Sequence, residues 1–354
     1  MNLSIVILNY QGEPIVYRCL ESVFNSLYSD YELIFVDNNS VDGSFERSVQ
    51  ILSGRENVTI IRNKENLGFT RGFDIGVKNS HGKYVLLLNN DAIVYPNAFS
   101  ELVKFMDENP SVGLAEGRIE NIQDGETTFS DPRISIVFGI LNEVGEHIKN
   151  SEPLAHITRI YSPVGVWPII RKEIYDKING YDNDYVHFEE IRDLAARVWI
   201  FGSEVGYIYN SVTQHVGRLT NVSKNYGNDI ALDLYFHASK NQLMFFIKNY
   251  STITILKFYF PYLIIKFGDL LYSFIKIGRK AFFAKLDAYK WVLRNMPKIL
   301  IKRKFINENR VVKDKDIMNH LIKPDKHAMQ SLIRMRNRYD EKTRKWIGVA
   351  LRSK

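Results

Sequence analysis

The stretch Glu32-Leu33-Ile34-Phe35-Val36-Asp37-Asn38-Asn39-Ser40 is a short apolar run that ends abruptly on a carboxylate and two amides. A continuous apolar run, unlike an alternating one, reads as a strand covered on both faces. Three more runs of this kind occupy residues 3–8, 58–61 and 84–88, so that the four centres lie near residues 5, 34, 60 and 86. A spacing of about 30 residues is the length of a βαβ unit. The intervening segments carry helical spacing: Ile15, Cys19, Leu20, Val23 and Phe24 within residues 13–25, and residues 69–78 before a turn at 79–82. The expectation is an α/β fold with a mixed, mainly parallel sheet flanked by helices, which places ligands at the carboxyl ends of the strands.

The rest of the chain bounds that reading. At 354 residues and 41.2 kDa it has room for a large core. With 45% hydrophobic and 25% charged residues, collagen-like and wholly disordered chains are excluded. One cysteine, Cys19, permits neither an intrachain disulfide nor a cysteine zinc cluster, which points to a reducing compartment. The opening apolar run stops at Asn9, too short for the core of a secretory signal.

Net charge is +7, but residues 1–254 hold 22 Lys and Arg against 32 Asp and Glu, whereas residues 255–354 hold 25 against 8. The body is acidic and the last third strongly basic, so the tail is expected to meet an anionic partner. Residues 115–220 read as a mixed α+β half, and beyond 225 strand signals vanish in favour of a basic helical region.

Chemistry-bearing residues gather where such a sheet presents its ligand. Asp37-Asn38-Asn39-Ser40 with Asp42-Gly43 follows the second run, and Asn89-Asn90-Asp91 follows the fourth. A carboxylate at a strand end accepts from a base or ribose, or holds a hard divalent cation. Each cluster alone reads more readily as a turn; two at matching strand ends shift the balance toward a site. Asn66-Leu67-Gly68-Phe69 leads into Gly72 and Gly76, three glycines four apart on one helix face, which suit a ligand or tight packing against the sheet. Both the dinucleotide fingerprint and the phosphate-loop motif are absent, and no HExxH array occurs.

Taken in order, Ile7-Leu8-Asn9-Tyr10, Val36 to Ser44, Asn66 to Phe69, and Leu86 to Asp91 resemble the family 2 glycosyltransferases, inverting, rhamnosyltransferase-like nucleotide-sugar enzymes of the GT-A fold. The resemblance covers about residues 1–250. It implies a donor-binding half over 1–115, an acceptor-binding half over 116–225 and a basic helical region over 226–354. It assigns the nucleotide-sugar side to Asn9, Asp37, Asn39, Asn66, Gly68, Phe69 and Asn90, with Asp37 contacting the base. Asp91 becomes the metal-binding carboxylate, and His215, in His215-Val216-Gly217-Arg218, lies near metal and pyrophosphate. Asp74 departs from the family, in which many relatives carry Asn.

On the acceptor side, residues 165–171, Gly180-Tyr181-Asp182, Phe188-Glu189-Glu190 and Asp193-Leu194 with Arg197 resemble the block whose acidic pair supplies the general base. Glu190 is the candidate base, with Glu189 and Asp193 as alternatives; Arg192 resembles an inserted residue. A solvated helix start would explain the same acids without catalysis.

The resemblance thus implies a metal-dependent displacement with Mg or Mn as cofactor, a nucleoside-diphosphate sugar as donor, and a glycan or lipid-linked acceptor in polysaccharide synthesis. Residues 253–277 are the most apolar stretch, interrupted by Lys257, Lys266, Asp269 and Lys276 with no uncharged run beyond eight, and read as a helix lying on an anionic membrane and not spanning it. That reading places the protein at the cytoplasmic face of the membrane. A helical subdomain or an interface with a second copy accounts for the same pattern, and no nucleic acid is expected. Two other functions compete: a sugar nucleotidyltransferase, which should carry an N-terminal glycine-rich loop where residues 9–14 hold only Gly12, and a nucleotide-sugar-binding scaffold without turnover.

Overall fold

A computed structural model describes residues 1–123, 126–137, 140–143, 147–186, 188–217 and 227–320. Its strands, in chain order, are β1 (Leu3–Asn9), β2 (Tyr31–Asp37), β3 (Val58–Arg62), β4 (Tyr84–Asn89), β5 (Ala92–Val94) and β6 (Val112–Gln123). There follow β7 (Glu126–Ser130), β8 (Ile134–Val137), β9 (Ile140–Glu143), β10 (His147–Ile148), β11 (Ile169–Arg171) and β12 (Glu204–His215). The helices are α1 (Val16–Phe24), α2 (Ser44–Leu52), α3 (Phe69–Lys78), α4 (Ala98–Glu108), α5 (Lys172–Lys177) and α6 (Glu190–Ile200), then α7 (Gly227–Asn249), α8 (Thr252–Tyr272), α9 (Arg279–Arg294), α10 (Met296–Glu308) and α11 (Asp314–Ile317). Two compact units result: Met1–Pro132 with Gly145–Val186 and Glu190–Gly217, and Arg133–Val144 with His187–Glu189 and Arg218–Lys354.

The first unit is built on one sheet of order β10-β7-β6-β11-β4-β1-β2-β3 among the described residues. The apolar runs of β1, β2 and β4 pair in parallel, with β1 between the other two, and β3 joins β2 in the same sense. Their side chains are buried on both faces, as continuous apolarity requires. One face carries Ile5, Leu33, Phe35 and Leu86 into a core with Val16, Leu20 and Val23 of α1 and Phe99, Leu102 and Met106 of α4. The run at 58–61 corrects the expectation of burial on both faces: β3 is the outermost strand, and most of its residues reach solvent.

Past β4 the sheet becomes mixed. The short β11 runs antiparallel to both β4 and β6, and β12 lies parallel to β6 while its end pairs antiparallel with β5. Helix α3 lies close against β1 because Gly72 and Gly76 present no side chain: a Cβ at either would collide with Leu8 or Val6. The tight-packing alternative for these two glycines is therefore the one realised.

Among its described residues the second unit is helical apart from the antiparallel pair β8–β9, as the loss of strand signals beyond 225 predicts. Among the described residues, one side of helix α8 carries most of its contacts to neighbouring helices. Tyr262 stacks on Phe246 of α7 at 4.0 Å between centroids, Lys266 Nζ donates to Gln242 Oε1 at 2.5 Å, and Asp269 receives Lys285 Nζ of α9 at 2.6 Å. With the π-turn Ser273–Ile277 it forms a 26-residue stretch that is, by length and composition alone, long and apolar enough to cross a membrane. The residues beyond 320, which complete the basic tail, lie outside those described.

Candidate active site

Parallel pairing in register sets Asn9, the last residue of β1, beside Asp37, the last of β2. Asn9 Nδ2 donates to Asp37 Oδ1 at 2.8 Å, and Asn9 Oδ1 accepts from Asn90 Nδ2 at 2.9 Å, so one amide ties together the ends of three strands. Asp37 is fully buried. It also accepts from the Ser40 hydroxyl at 2.6 Å and the Ser40 N–H at 2.9 Å, with Arg62 Nε 3.7 Å away. These contacts close the turn after β2 and set Asn39 at its exposed tip in the left-handed region, φ 62°.

A second amide cluster anchors the start of α3. Asn38 Oδ1 accepts from Asn63 Nδ2 at 2.7 Å and its Nδ2 donates to the Gly68 carbonyl at 3.1 Å, while Asn66 Oδ1 accepts the Gly68 N–H at 2.9 Å. Gly68 sits at φ 80°, a conformation that costs glycine nothing. Phe69 then packs edge-on against Phe73 and Tyr181.

Asp91 and His215 come together because the end of β12 pairs with β5, directly after Asp91. His215 Nε2 lies 3.4 Å from Asp91 Oδ2, and the Val216 N–H donates to the Asp91 carbonyl at 3.0 Å. Burial pulls the imidazole pKa down, but the hydrogen bond and charge of Asp91 outweigh it and the net direction is up. Among the described residues no group of three His, Cys, Asp or Glu forms a closed cage for a metal. One carboxylate and one imidazole fit a divalent cation that is shared with phosphate oxygens of a substrate, the manner in which Mg is commonly held. Arg218 of the same motif lies outside the described residues.

The three acids expected on the acceptor side separate. Asp193 is fully buried and paired with Arg197, whose Nε and Nη2 lie 3.0 and 2.8 Å away; Arg197 Nη1 in turn donates to the Ile178 and Gly180 carbonyls. Glu189, at φ 66°, belongs to the helical unit, and its charge is felt there by Tyr250, Tyr262 and Lys266. Glu190 opens α6, half-buried, and helps raise the hydroxyl pKa of Tyr181, which burial raises most. Tyr181 in turn packs edge-on against Phe69 of α3.

Two features escaped sequence reading. Glu116, buried in mid-β6, accepts the N–H groups of Val164, Gly165, Val166 and Trp167 at 2.6–3.2 Å. Burial raises its carboxyl pKa and those four donors oppose the rise. Asp74, noted only as a departure, accepts from the Tyr175 hydroxyl, the Tyr181 N–H and Asn183 Nδ2, so it binds α3 to the segment that precedes α6.

Residues 4–176 match the family described as Glycosyl transferase family 2. The chain carries a family 2 glycosyl transferase domain. A curated relative, an uncharacterized glycosyltransferase of Haemophilus influenzae, is 23% identical over 230 residues, which is 59% of this chain and 68% of that one. A second from the same organism is 27% identical over 182 residues, which is 50% of this chain and 55% of that one. Among solved structures, S. aureus TarS in complex with UDP-GlcNAc superposes with a TM-score of 0.58 at 14% identity, over 90% of this chain and 89% of TarS. A mannosyltransferase from Pyrobaculum calidifontis in complex with GDP-Man and Mn2+ gives 0.52 at 11% identity, over 87% and 85%. At such identities the likeness is one of fold, and the fold is GT-A.

Proposed function

We propose that this glycosyltransferase moves a sugar from a nucleoside-diphosphate sugar to an acceptor hydroxyl with inversion at the anomeric carbon. What carries the reading is the Asp91–His215 pair, set beside the Asn9–Asp37–Asn90 network at the carboxyl ends of parallel strands. Donors bound by fold neighbours, UDP-GlcNAc and GDP-Man, support the donor class.

In this mechanism Asp37 shapes the turn that receives the base, and Asn66, Gly68 and Phe69 border the donor from α3. Asp91 and His215 would hold Mg or Mn together with the diphosphate; when bound, the cation neutralises charge on the departing nucleotide. Glu190 takes the proton of the acceptor hydroxyl as that oxygen attacks the anomeric carbon. The bond from carbon to diphosphate oxygen breaks on the opposite face, and its electron pair leaves with the nucleotide. Asp193 serves structure through Arg197, and Glu189 stays with the helical unit.

The acceptor belongs to cell-surface polysaccharide or lipid-linked glycan synthesis, at the cytoplasmic face of the membrane, where the basic tail attaches. Nucleoside-diphosphate release from UDP-, GDP- and dTDP-sugars, measured with Mn and a bacterial lipid extract as acceptor source, tests the function. Acceptor-dependent release from one donor supports it. Donor binding without release under any condition indicates a scaffold, and nucleotidyl transfer from a triphosphate would replace the reading.

A further inference from the structure

One side of α8 fastens to its unit through Tyr262, Lys266 and Asp269, whereas the opposite side is exposed among the described residues. Ile253, Leu256, Phe260, Ile264, Phe267 and Leu271 are between 47% and 80% exposed. Successive members are three or four residues apart, which puts all six on one face. Soluble chains rarely leave so long an apolar stripe in water.

The surroundings indicate what covers it. Residues 252–308 hold twelve Lys and Arg against three Asp and Glu, a net charge of +9. Lys257 and Lys276 are exposed near the two ends of the stripe, about 28 Å apart at 1.5 Å per residue, and Arg279 and Lys280 follow. A second copy of the chain would bring an equal positive charge against this one, a like-charge arrangement that opposes association. Anionic lipid headgroups match both the apolar stripe and the cations beside it. Crossing the bilayer would strip Lys266 from Gln242 and Asp269 from Lys285 and leave both charges in hydrocarbon.

We infer that the exposed face of α8 lies flat in the headgroup region of an anionic bilayer, its apolar side chains in the acyl boundary and its flanking cations on lipid phosphates. The inference deepens the membrane attachment proposed above to one helix face and one orientation. It does not depend on the sugar-transfer chemistry.

Flotation of the full chain with lipid vesicles, followed by alkaline carbonate washing, tests it without measuring turnover. The wild type should float with phosphatidylglycerol vesicles, bind phosphatidylcholine about tenfold less or weaker, and be released by carbonate. Phe260→Glu combined with Phe267→Glu should lower vesicle binding by about tenfold or more, with an unchanged circular dichroism spectrum and melting temperature, because both side chains are exposed. Leu27→Glu, on an exposed residue of the other unit, should bind like the wild type. The inference fails if the wild type ignores phosphatidylglycerol, if the double variant floats as well as the wild type, or if carbonate leaves the protein embedded. Light scattering that shows a stable dimer together with indifference to vesicles would assign the stripe to a second copy and overturn it equally.

Discussion

His215 Nε2 stands 3.4 Å from Asp91 Oδ2, although His215 ends β12 and Asp91 lies in the turn between β4 and β5. Asp91 raises the imidazole pKa above the ordinary 6.5 against the pull of burial. A raised folded-state value means that protonated His215 contributes stability in full below about pH 6.5 and loses it as pH rises through the folded value. In a chelating buffer, His215→Gln should therefore cost most stability on the acid side and least above the raised value. Urea midpoints at several pH values check this; a cost independent of pH contradicts it.

The two acids of α6 should fail in different ways. Glu190→Gln is expected to keep donor affinity and melting temperature while turnover falls by about 10²-fold or more. Asp193→Ala leaves Arg197 buried without its carboxylate and should destabilise the fold by about 3–5 kcal/mol. Calorimetry and turnover on both variants separate the roles. A stable but inactive Asp193→Ala protein would make Asp193 the base.

Glu116 positions the loop at 164–167. In Glu116→Gln one acceptor oxygen becomes an NH₂ group that faces backbone donors, at a cost of about 1–3 kcal/mol. Denaturant unfolding reads the stability. Steady-state kinetics should show a raised KM for the acceptor with the donor KM unchanged, which a purely global loosening would not give.

Much of the fold is legible in the sequence, because β1, β2 and β4 are central strands whose burial on both faces forces continuous apolar runs. The strand-end positions of Asp37, Asn90 and Asp91 were legible for the same reason, whereas Asn9 entered through the family resemblance; the structure joins Asn9, Asp37 and Asn90 in one hydrogen-bond network. β3 misled because its sequence resembles its neighbours, while its edge position depends on the order of strands and not on its own residues. Glu116 was hidden because its four partners lie about fifty residues away and are backbone groups without a sequence signature. Its one signal is a carboxylate that directly follows the apolar start of β6, Val112-Gly113-Leu114-Ala115, where an acid is rarely buried unless partnered. Asp193 and Arg197 stand at the i, i+4 spacing of a helical ion pair, so their structural role was open to reading.

The role of Asp91 is tested most directly by titration calorimetry of UDP-GlcNAc and GDP-Man against the wild type and Asp91→Asn, each with Mn and with a chelator. One of these donors should bind the wild type only with Mn, and Asp91→Asn should lose about 10²-fold or more of that affinity, in line with the loss of a preorganised charge contact. Binding that is equally tight in the chelator, or unchanged in Asp91→Asn, would contradict the assignment of the donor's diphosphate and its cation to Asp91 and His215.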